Sequence, residues 1–203
     1  MVFKDENMGF ERMILLGQPF EELWFSSDLY ADPGFNHISD AGKYSGKMLF
    51  GFLGGGQIIG GPWTEDKSVD GNAWWAHGVW GSSGALMAYI YDQNNPGRAA
   101  GELGSIPIPK GYWVNITRRA VLNTPGLTNG LYEVYADGVL VIQVTDIEMR
   151  SAEQGADYGK IEGLRLSYFF GGSGPDYASP RNNYIRVDNL IAFRFTPTSD
   201  HFL

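Results

Sequence analysis

The stretch Gly130-Leu-Tyr-Glu-Val-Tyr-Ala-Asp-Gly-Val-Leu-Val-Ile-Gln-Val144 decides the fold class of this 203-residue chain. Two runs rich in β-branched and aromatic residues flank Asp137-Gly138. This dipeptide readily takes the positive φ angles that a tight primed turn requires. The stretch therefore predicts a β-hairpin with strands over 130–136 and 139–146.

The same alternation and punctuation by turn residues recur along the rest of the chain. They predict seven further strands, over 21–31, 47–54, 73–80, 85–92, 112–123, 161–170 and 184–196. The 28 glycines, ten prolines and 14% aromatic residues favour strands over helices. Nine strands predict an all-β fold, a two-sheet antiparallel β-sandwich, and the length suits one domain over 1–203.

The last predicted strand has apolar residues at alternate positions over most of its length. The alternation predicts one core-facing side, made of Ile185, Val187, Ile191, Phe193 and Phe195.

A second hairpin is predicted around the glycine-containing turn between the strands over 73–80 and 85–92. Because side chains alternate with period two, Trp75 and His77 share one face of the first strand. Tyr89 and the other tyrosine of the second strand, at position 91, share a face by the same rule. In a register that joins these faces, all four rings lie on one patch, of the kind that commonly grips sugar rings.

The composition excludes several classes of site. The net charge of −8 and the pI near 4.8, with dispersed lysines and arginines, argue against nucleic acid as the main partner. A few cations lining one groove would still suit an acidic polysaccharide. The absence of cysteine excludes disulfides, thiolate metal sites and cysteine nucleophiles. Three histidines far apart in sequence show no ligand spacing, so we expect no metal and no other cofactor.

The amino-terminal segment lacks the basic start and apolar core of a signal peptide. The apolar run over 13–16 is too short to span a membrane. We therefore expect a soluble product with no membrane partner. A cytosolic protein, a virion-borne protein and a secreted domain without its leader are all left open.

Several segments occur in an order and spacing that together carry a family resemblance. They are Gly46-Lys-Met-Leu-Phe-Gly-Phe-Leu-Gly-Gly55, the strand ending at Trp80 with Tyr89-Ile-Tyr91, Val121-Leu-Asn-Thr-Pro-Gly126, Tyr135-Ala-Asp-Gly138 and Phe169-Phe-Gly-Gly172 with Val187-Asp-Asn189. In these segments the chain resembles the alginate and polyuronate lyases with a β-jelly-roll fold, the fourteenth polysaccharide lyase family. The resemblance implies a jelly roll that cleaves an acidic, uronate-containing polysaccharide such as alginate by β-elimination.

The family's groove carries a lysine in a Gly-Lys segment, a Ser-x-Arg pair on one strand and a Tyr-x-Tyr pair on the next. The resemblance maps the lysine to Lys47, or less closely to Lys43, and it maps the tyrosine pair to Tyr89 and Tyr91. The positions of the serine and arginine are occupied here by Trp75 and His77.

β-Elimination from a uronate needs a cation or hydrogen-bond donor on the carboxylate, a base for the α-proton and an acid for the leaving oxygen. We expect Lys47 and His77 on the carboxylate side and Tyr89 or Tyr91 in proton transfer, with His77 or Tyr91 as the base. For substrate binding we expect Lys43, a sugar-stacking Trp75, and Arg119, which shares its strand face with two polar residues.

Two alternatives from other classes stay open. The first is a non-catalytic jelly-roll module that binds glycans or decorates a virus particle, in which the tyrosines merely pack and Lys47 is solvated. The second is an acid glycosidase, for which Glu133, Asp137 and Glu148 show no convergence beyond their hairpin. The sequence also leaves open the uronate, endo or exo action, and homo-oligomer or virion partners.

Overall fold

The structure is a computed structural model that describes residues 9–39, 41–43, 46–55, 74–80, 84–93, 106–154, 159–170 and 175–194. Within these residues the chain forms ten β-strands and two short 3₁₀ helices, at Ala152–Gln154 and Pro175–Tyr177. The strands are β1 (Gly9–Phe20), β2 (Glu22–Ala31), β3 (Gly46–Gly54), β4 (Trp74–Trp80), β5 (Leu86–Tyr91), β6 (Trp113–Val121), β7 (Gly130–Ala136), β8 (Val139–Ile147), β9 (Ile161–Phe170) and β10 (Ile185–Phe193).

The strands form two antiparallel sheets of five. Sheet A has the order β1-β9-β3-β4-β5, and sheet B has the order β10-β2-β6-β7-β8. The two sheets pack as a jelly-roll sandwich, so the predicted all-β class and two-sheet architecture are confirmed. The nine predicted strands match β2 to β10 within three residues at every end. The edge strand β1 was not predicted.

The core lies between the sheets and follows the period of two in the sequence. In β2 every second residue is buried, because one face of the strand meets sheet A and the other does not. Rings from both sheets meet at Phe52 of β3, whose centroid lies 6.3 Å from those of Phe25 and Tyr132. This aromatic contact joins sheet A to the β2 and β7 strands of sheet B.

The hairpin that predicted the fold class is formed by β7 and β8. Asp137 has φ of 48° and Gly138 has φ of 80°, as a primed turn requires. The prediction of a tight turn at this dipeptide is confirmed.

The prediction of one core-facing side for the last strand is wrong beyond Val187. The pairing of β10 with β2 shifts between Asp188 and Ile191, at a bulge where Asn189 has φ of 50°. Before the bulge Val187 packs against the core, whereas after it Ile191 is 53% exposed. An extra residue in a strand moves the later side chains to the opposite face. Phe195 lies outside the described residues.

None of the described residues forms a helix of the length and apolarity that crossing a membrane demands. One domain over 1–203 stays a prediction.

Candidate active site on sheet A

The outer face of sheet A, turned away from sheet B, holds most of the predicted site. The strand register places five residues side by side across this face. This central row runs from β1 through β9, β3 and β4 to β5 as Met13, Arg165, Gly51, His77 and Tyr89. The predicted meeting of the His77 face with the Tyr89 face is therefore confirmed at the level of the backbone register.

Tyr89 and Tyr91 form a directly bonded pair at the edge of the row. Their hydroxyl oxygens lie 2.7 Å apart and their ring centroids 5.1 Å apart. Both side chains are partly exposed on β5. Burial and the hydrogen bond with Tyr89 raise the pKa of Tyr91 well above its usual range. Tyr91 thus keeps its proton at neutral pH, which suits a proton donor better than a base.

His77 lies opposite Tyr89 but is fully buried, with an exposed fraction of 0%. Burial, followed by the positive charges of Arg165 and Arg118, holds the pKa of His77 well below its usual value. The imidazole is therefore neutral at physiological pH. It does not bring the positive charge that the sequence suggested for it.

Trp75 stands opposite Tyr91 in the register of β4 and β5. The side chain of Trp75 lies outside the described part of the structure, so its stacking role stays a prediction.

The two predicted lysines lie away from the central row. Lys47 is four residues before Gly51 on β3, about 13 Å along the strand. Its side chain is partly exposed on the same face, with Nζ 5.9 Å from the ring centroid of Phe169. Lys43 precedes β3 in an exposed turn, and its Nζ lies 6.0 Å from the ring centroid of Tyr177. Lys47 shares the face of the tyrosines, whereas Lys43 does not lie on the sheet.

Arg119 lies on the opposite side of the sandwich from the tyrosine pair. It extends from β6 over the outer face of sheet B, where it is bonded to Glu22 at 2.8 Å and Glu133 at 3.2 Å. The strand face shared with Asn115 and Thr117 was predicted correctly, but it belongs to sheet B. The expectation that Arg119 binds the same substrate as the tyrosines is therefore corrected.

Arg118 points from β6 into the core and is fully buried. Its guanidinium donates to the Ser27 hydroxyl and to the Ile116 carbonyl, each at 3.0 Å, and it faces the rings of Phe25 and Phe50. Burial lowers the pKa of Arg118 to about 10, so the group stays charged at neutral pH. Neither Arg118 nor Arg119 reaches the outer face of sheet A.

Glu133, considered for a glycosidase, is held in a network on sheet B. Burial alone would raise its pKa, but hydrogen bonds from Gln143, Tyr135 and Arg119 lower it overall. The carboxylate stays ionised and already accepts three bonds, so it is unsuited to act as a general acid.

Arg165 and Glu11 were missed by the sequence reasoning. Arg165 donates through one terminal guanidinium nitrogen to Glu11 Oε2 at 2.8 Å. Burial lowers the pKa of Arg165, and the charges of Glu11 and Tyr89 oppose this shift. A signal for Arg165 was present, since it alternates with the buried Leu164 and Leu166 and must face away from the core. Glu11 carried no such signal because its strand was not recognised.

Fold and site together define a jelly-roll protein with a polar and aromatic sheet face. The sequence matches the polysaccharide lyase 14 family over residues 16–190, and the chain belongs to this family. No curated protein sequence matches the chain.

Solved structures share the fold at low sequence identity. Alginate lyase Aly36B is 22% identical with a TM-score of 0.69, covering 91% of this chain and 73% of its own. The alginate lyase from Aplysia kurodai is 21% identical with a TM-score of 0.66, covering 88% and 71%. The endo-β-1,4-glucuronan lyase from Trichoderma reesei is 12% identical with a TM-score of 0.60, covering 92% and 74%.

Proposed function

We propose that this protein is a polysaccharide lyase that cleaves an acidic, uronate-containing polysaccharide such as alginate by β-elimination. The observation that carries the proposal is the bonded pair of Tyr89 and Tyr91 beside His77, in a chain of the polysaccharide lyase 14 family. This cluster combines groups that give and accept protons on one sheet face.

The relatives of this fold support the class of substrate. Aly36B has been solved in complex with an alginate trisaccharide, and the Trichoderma reesei enzyme acts on glucuronan. Both polymers are chains of uronates, which share a carboxylate next to the carbon that loses its proton. An acidic polysaccharide is therefore the partner that we propose.

The described residues suggest a division of labour in the reaction. Tyr89 receives the C5 proton as the C5–H bond breaks and passes its own proton to Tyr91 across the 2.7 Å contact between their hydroxyls. Tyr91, which holds its proton tightly, donates it to O4 as the C4–O4 bond breaks and the C4=C5 double bond forms. The proton thus moves from C5 to O4 through the two hydroxyls, and both tyrosines end the reaction as they began.

In this scheme His77 never touches the sugar, which agrees with its complete burial. Lys47 contributes away from the reacting uronate, because it lies about 13 Å along β3 from the central row. A lysine at that distance is suited to the carboxylate of a neighbouring sugar in the chain. Trp75, opposite Tyr91 in the register, is suited by residue type to stack on a sugar ring.

The direct test is a substrate screen. Folded protein is incubated with polymannuronate, polyguluronate, alginate and polyglucuronate, and the absorbance of the unsaturated product is followed. We expect a rise on at least one polymer and none on neutral polysaccharides. No rise on any of the four polymers, with the protein shown to be folded, would refute the catalytic proposal.

A glycan-binding module without catalysis is the second candidate. The observation that favours it is the complete burial of His77, which keeps this imidazole from touching a ligand, whereas both tyrosines are partly exposed. Binding of uronate oligosaccharides without release of unsaturated product in the same screen would establish this alternative.

A further inference from the structure

The proposed reaction needs a positive charge at the uronate carboxylate, where negative charge grows as the α-proton leaves. His77 is neutral. Lys47 lies about 13 Å along β3 from Gly51 and two strand spacings across from Tyr89, about 16 Å in all. The cation of the central row itself is Arg165, on β9. A guanidinium is also the group best matched in shape to a carboxylate, since two parallel N–H groups face two oxygens.

The strand order places Gly51 and His77 between Arg165 and Tyr89, so three strand spacings, about 14 Å, divide the Cα atoms of Arg165 and Tyr89. Gly51 separates Arg165 from His77 in the row, so two strand spacings, about 10 Å, divide their Cα atoms. Gly51 has no side chain to stand between them. The charge of Arg165 lowers the pKa of His77, and the charge of Tyr89 raises the pKa of Arg165, so the guanidinium lies within electrostatic reach of both residues.

In the structure the carboxylate of Glu11 is hydrogen-bonded to the guanidinium of Arg165. The two side chains are unequally exposed, at 3% for Arg165 and 32% for Glu11. Glu11 lies on β1, the edge strand of sheet A, so its carboxylate borders solvent on one side. A carboxylate arriving from solvent therefore meets Glu11 first, and it reaches the guanidinium of Arg165 as Glu11 moves away.

We propose that Arg165 binds the carboxylate of the reacting uronate, and that Glu11 holds the same guanidinium until the substrate carboxylate replaces it. The inference rests on the proposed function and adds to it the cation that the reaction needs. Glu11 then acts as an internal stand-in for the substrate. It keeps a buried guanidinium paired when no sugar is bound.

The exchange also predicts selectivity toward uronates. Breaking a buried ion pair is costly because it leaves a charge without its partner. A uronate replaces one carboxylate by another, so the guanidinium stays paired throughout. A neutral sugar offers no carboxylate to replace Glu11, so it does not compensate for the ion pair that its entry would break.

The test compares three variants of this pair with one control. Arg165→Gln removes the charge, Arg165→Lys keeps the charge without the planar fork, and Glu11→Gln removes the competing carboxylate. Arg186→Gln is the matched control, because Arg186 pairs with Asp32 at 3.4 Å on sheet B and is 63% exposed. Calorimetry with a saturated uronate trisaccharide gives affinity, and the initial rate of product absorbance on the preferred polymer gives kcat and KM.

We expect Arg165→Gln to weaken binding at least about 10-fold and Glu11→Gln to tighten it about 3- to 10-fold, since one charge-assisted hydrogen bond is lost or freed. Arg165→Lys should recover part of the loss, and Arg186→Gln should match the wild type. The gain in Glu11→Gln separates the proposal from simple damage, because a destabilised protein does not bind more tightly. The affinity of Glu11→Gln also tests the inference if Arg165→Gln does not fold.

Two results overturn the inference in distinguishable ways. If the wild type binds or cleaves a uronate polymer and Glu11→Gln binds no more tightly, or a folded Arg165→Gln binds as the wild type does, the inference fails while the proposed function stands. If the wild type neither binds nor cleaves any of the four polymers, the proposed function fails and the inference falls with it.

Discussion

The buried imidazole of His77 ties the stability of the protein to pH. In the folded protein burial and two nearby guanidinium groups keep this pKa well below 6.5, whereas an unfolded chain binds a proton near 6.5. Above pH 6.5 both states are neutral and the full stability is present. As the pH falls below 6.5 the unfolded chain gains a proton that the folded protein does not take, and stability is lost.

The size of the effect follows from the proton count alone. One proton taken up only by the unfolded state costs about 1.4 kcal/mol at pH 5.5 and up to about 2.7 kcal/mol at pH 4.5, relative to pH 7.5. His77→Gln removes the titrating group while keeping a polar side chain. The free energy of unfolding of the wild type should therefore decline relative to that of the variant by these amounts.

The assay is urea unfolding of both proteins at pH 7.5, 6.5, 5.5 and 4.5. Taking the difference between the two proteins cancels the carboxylates that titrate in both. His37→Gln is a graded control, since His37 is only partly buried and its pKa is lowered less completely, by burial and by Lys110. A difference between wild type and His77→Gln that stays constant within about 0.5 kcal/mol across this range would refute the neutral, buried imidazole.

Three further predictions concern the site and the turn. Tyr91→Phe should lower kcat at least about 100-fold with little change in KM, because the substitution removes a proton donor and keeps the ring. Steady-state kinetics test this prediction. Tyr135→Phe on sheet B is the control and should retain full activity. Lys47→Met should raise KM about threefold or more at low salt and less at high salt, since ions screen an exposed cation. A KM unchanged at both salt concentrations would count against a contact between Lys47 and the substrate. Gly138→Ala should lower the free energy of unfolding by about 1 to 2 kcal/mol because of the φ of 80° alone, since nothing lies within 4 Å of the added Cβ. Denaturant unfolding measures this change. Gly17→Ala is the control, because Gly17 is equally open but has no positive φ, and it should be neutral or stabilising.

Much of the fold could be predicted from local sequence patterns. Alternation with period two and the Asp137-Gly138 turn are short-range properties, so strand positions and the β7–β8 hairpin followed from them directly. The facing of His77 and Tyr89 also followed, because a hairpin pairs strands that are neighbours in sequence. The edge strand β1 was not predicted because its residues are largely exposed and, among the described strands, only β9 pairs with it.

The bulge in β10 shows where local patterns stop being sufficient. The apolar alternation in the sequence continues past Asn189, but the backbone takes a positive φ there and the later residues change sides. The choice between continuing the alternation and shifting the register depends on the pairing with β2. No window of the strand's own sequence contains that partner.

By itself, the sequence determined the sandwich, the strands of the site and the tyrosine pair, because these depend on residues close together in the chain. Only the tertiary structure decided which sheet each strand joins, and with it the chemistry around the tyrosines. It brought Arg165 and Glu11 into the site across β9 and β1, sent Arg119 to the far side and buried His77. Strand order depends on how distant segments pair when they bury a common core, so charges far apart in sequence can lie on the same sheet face.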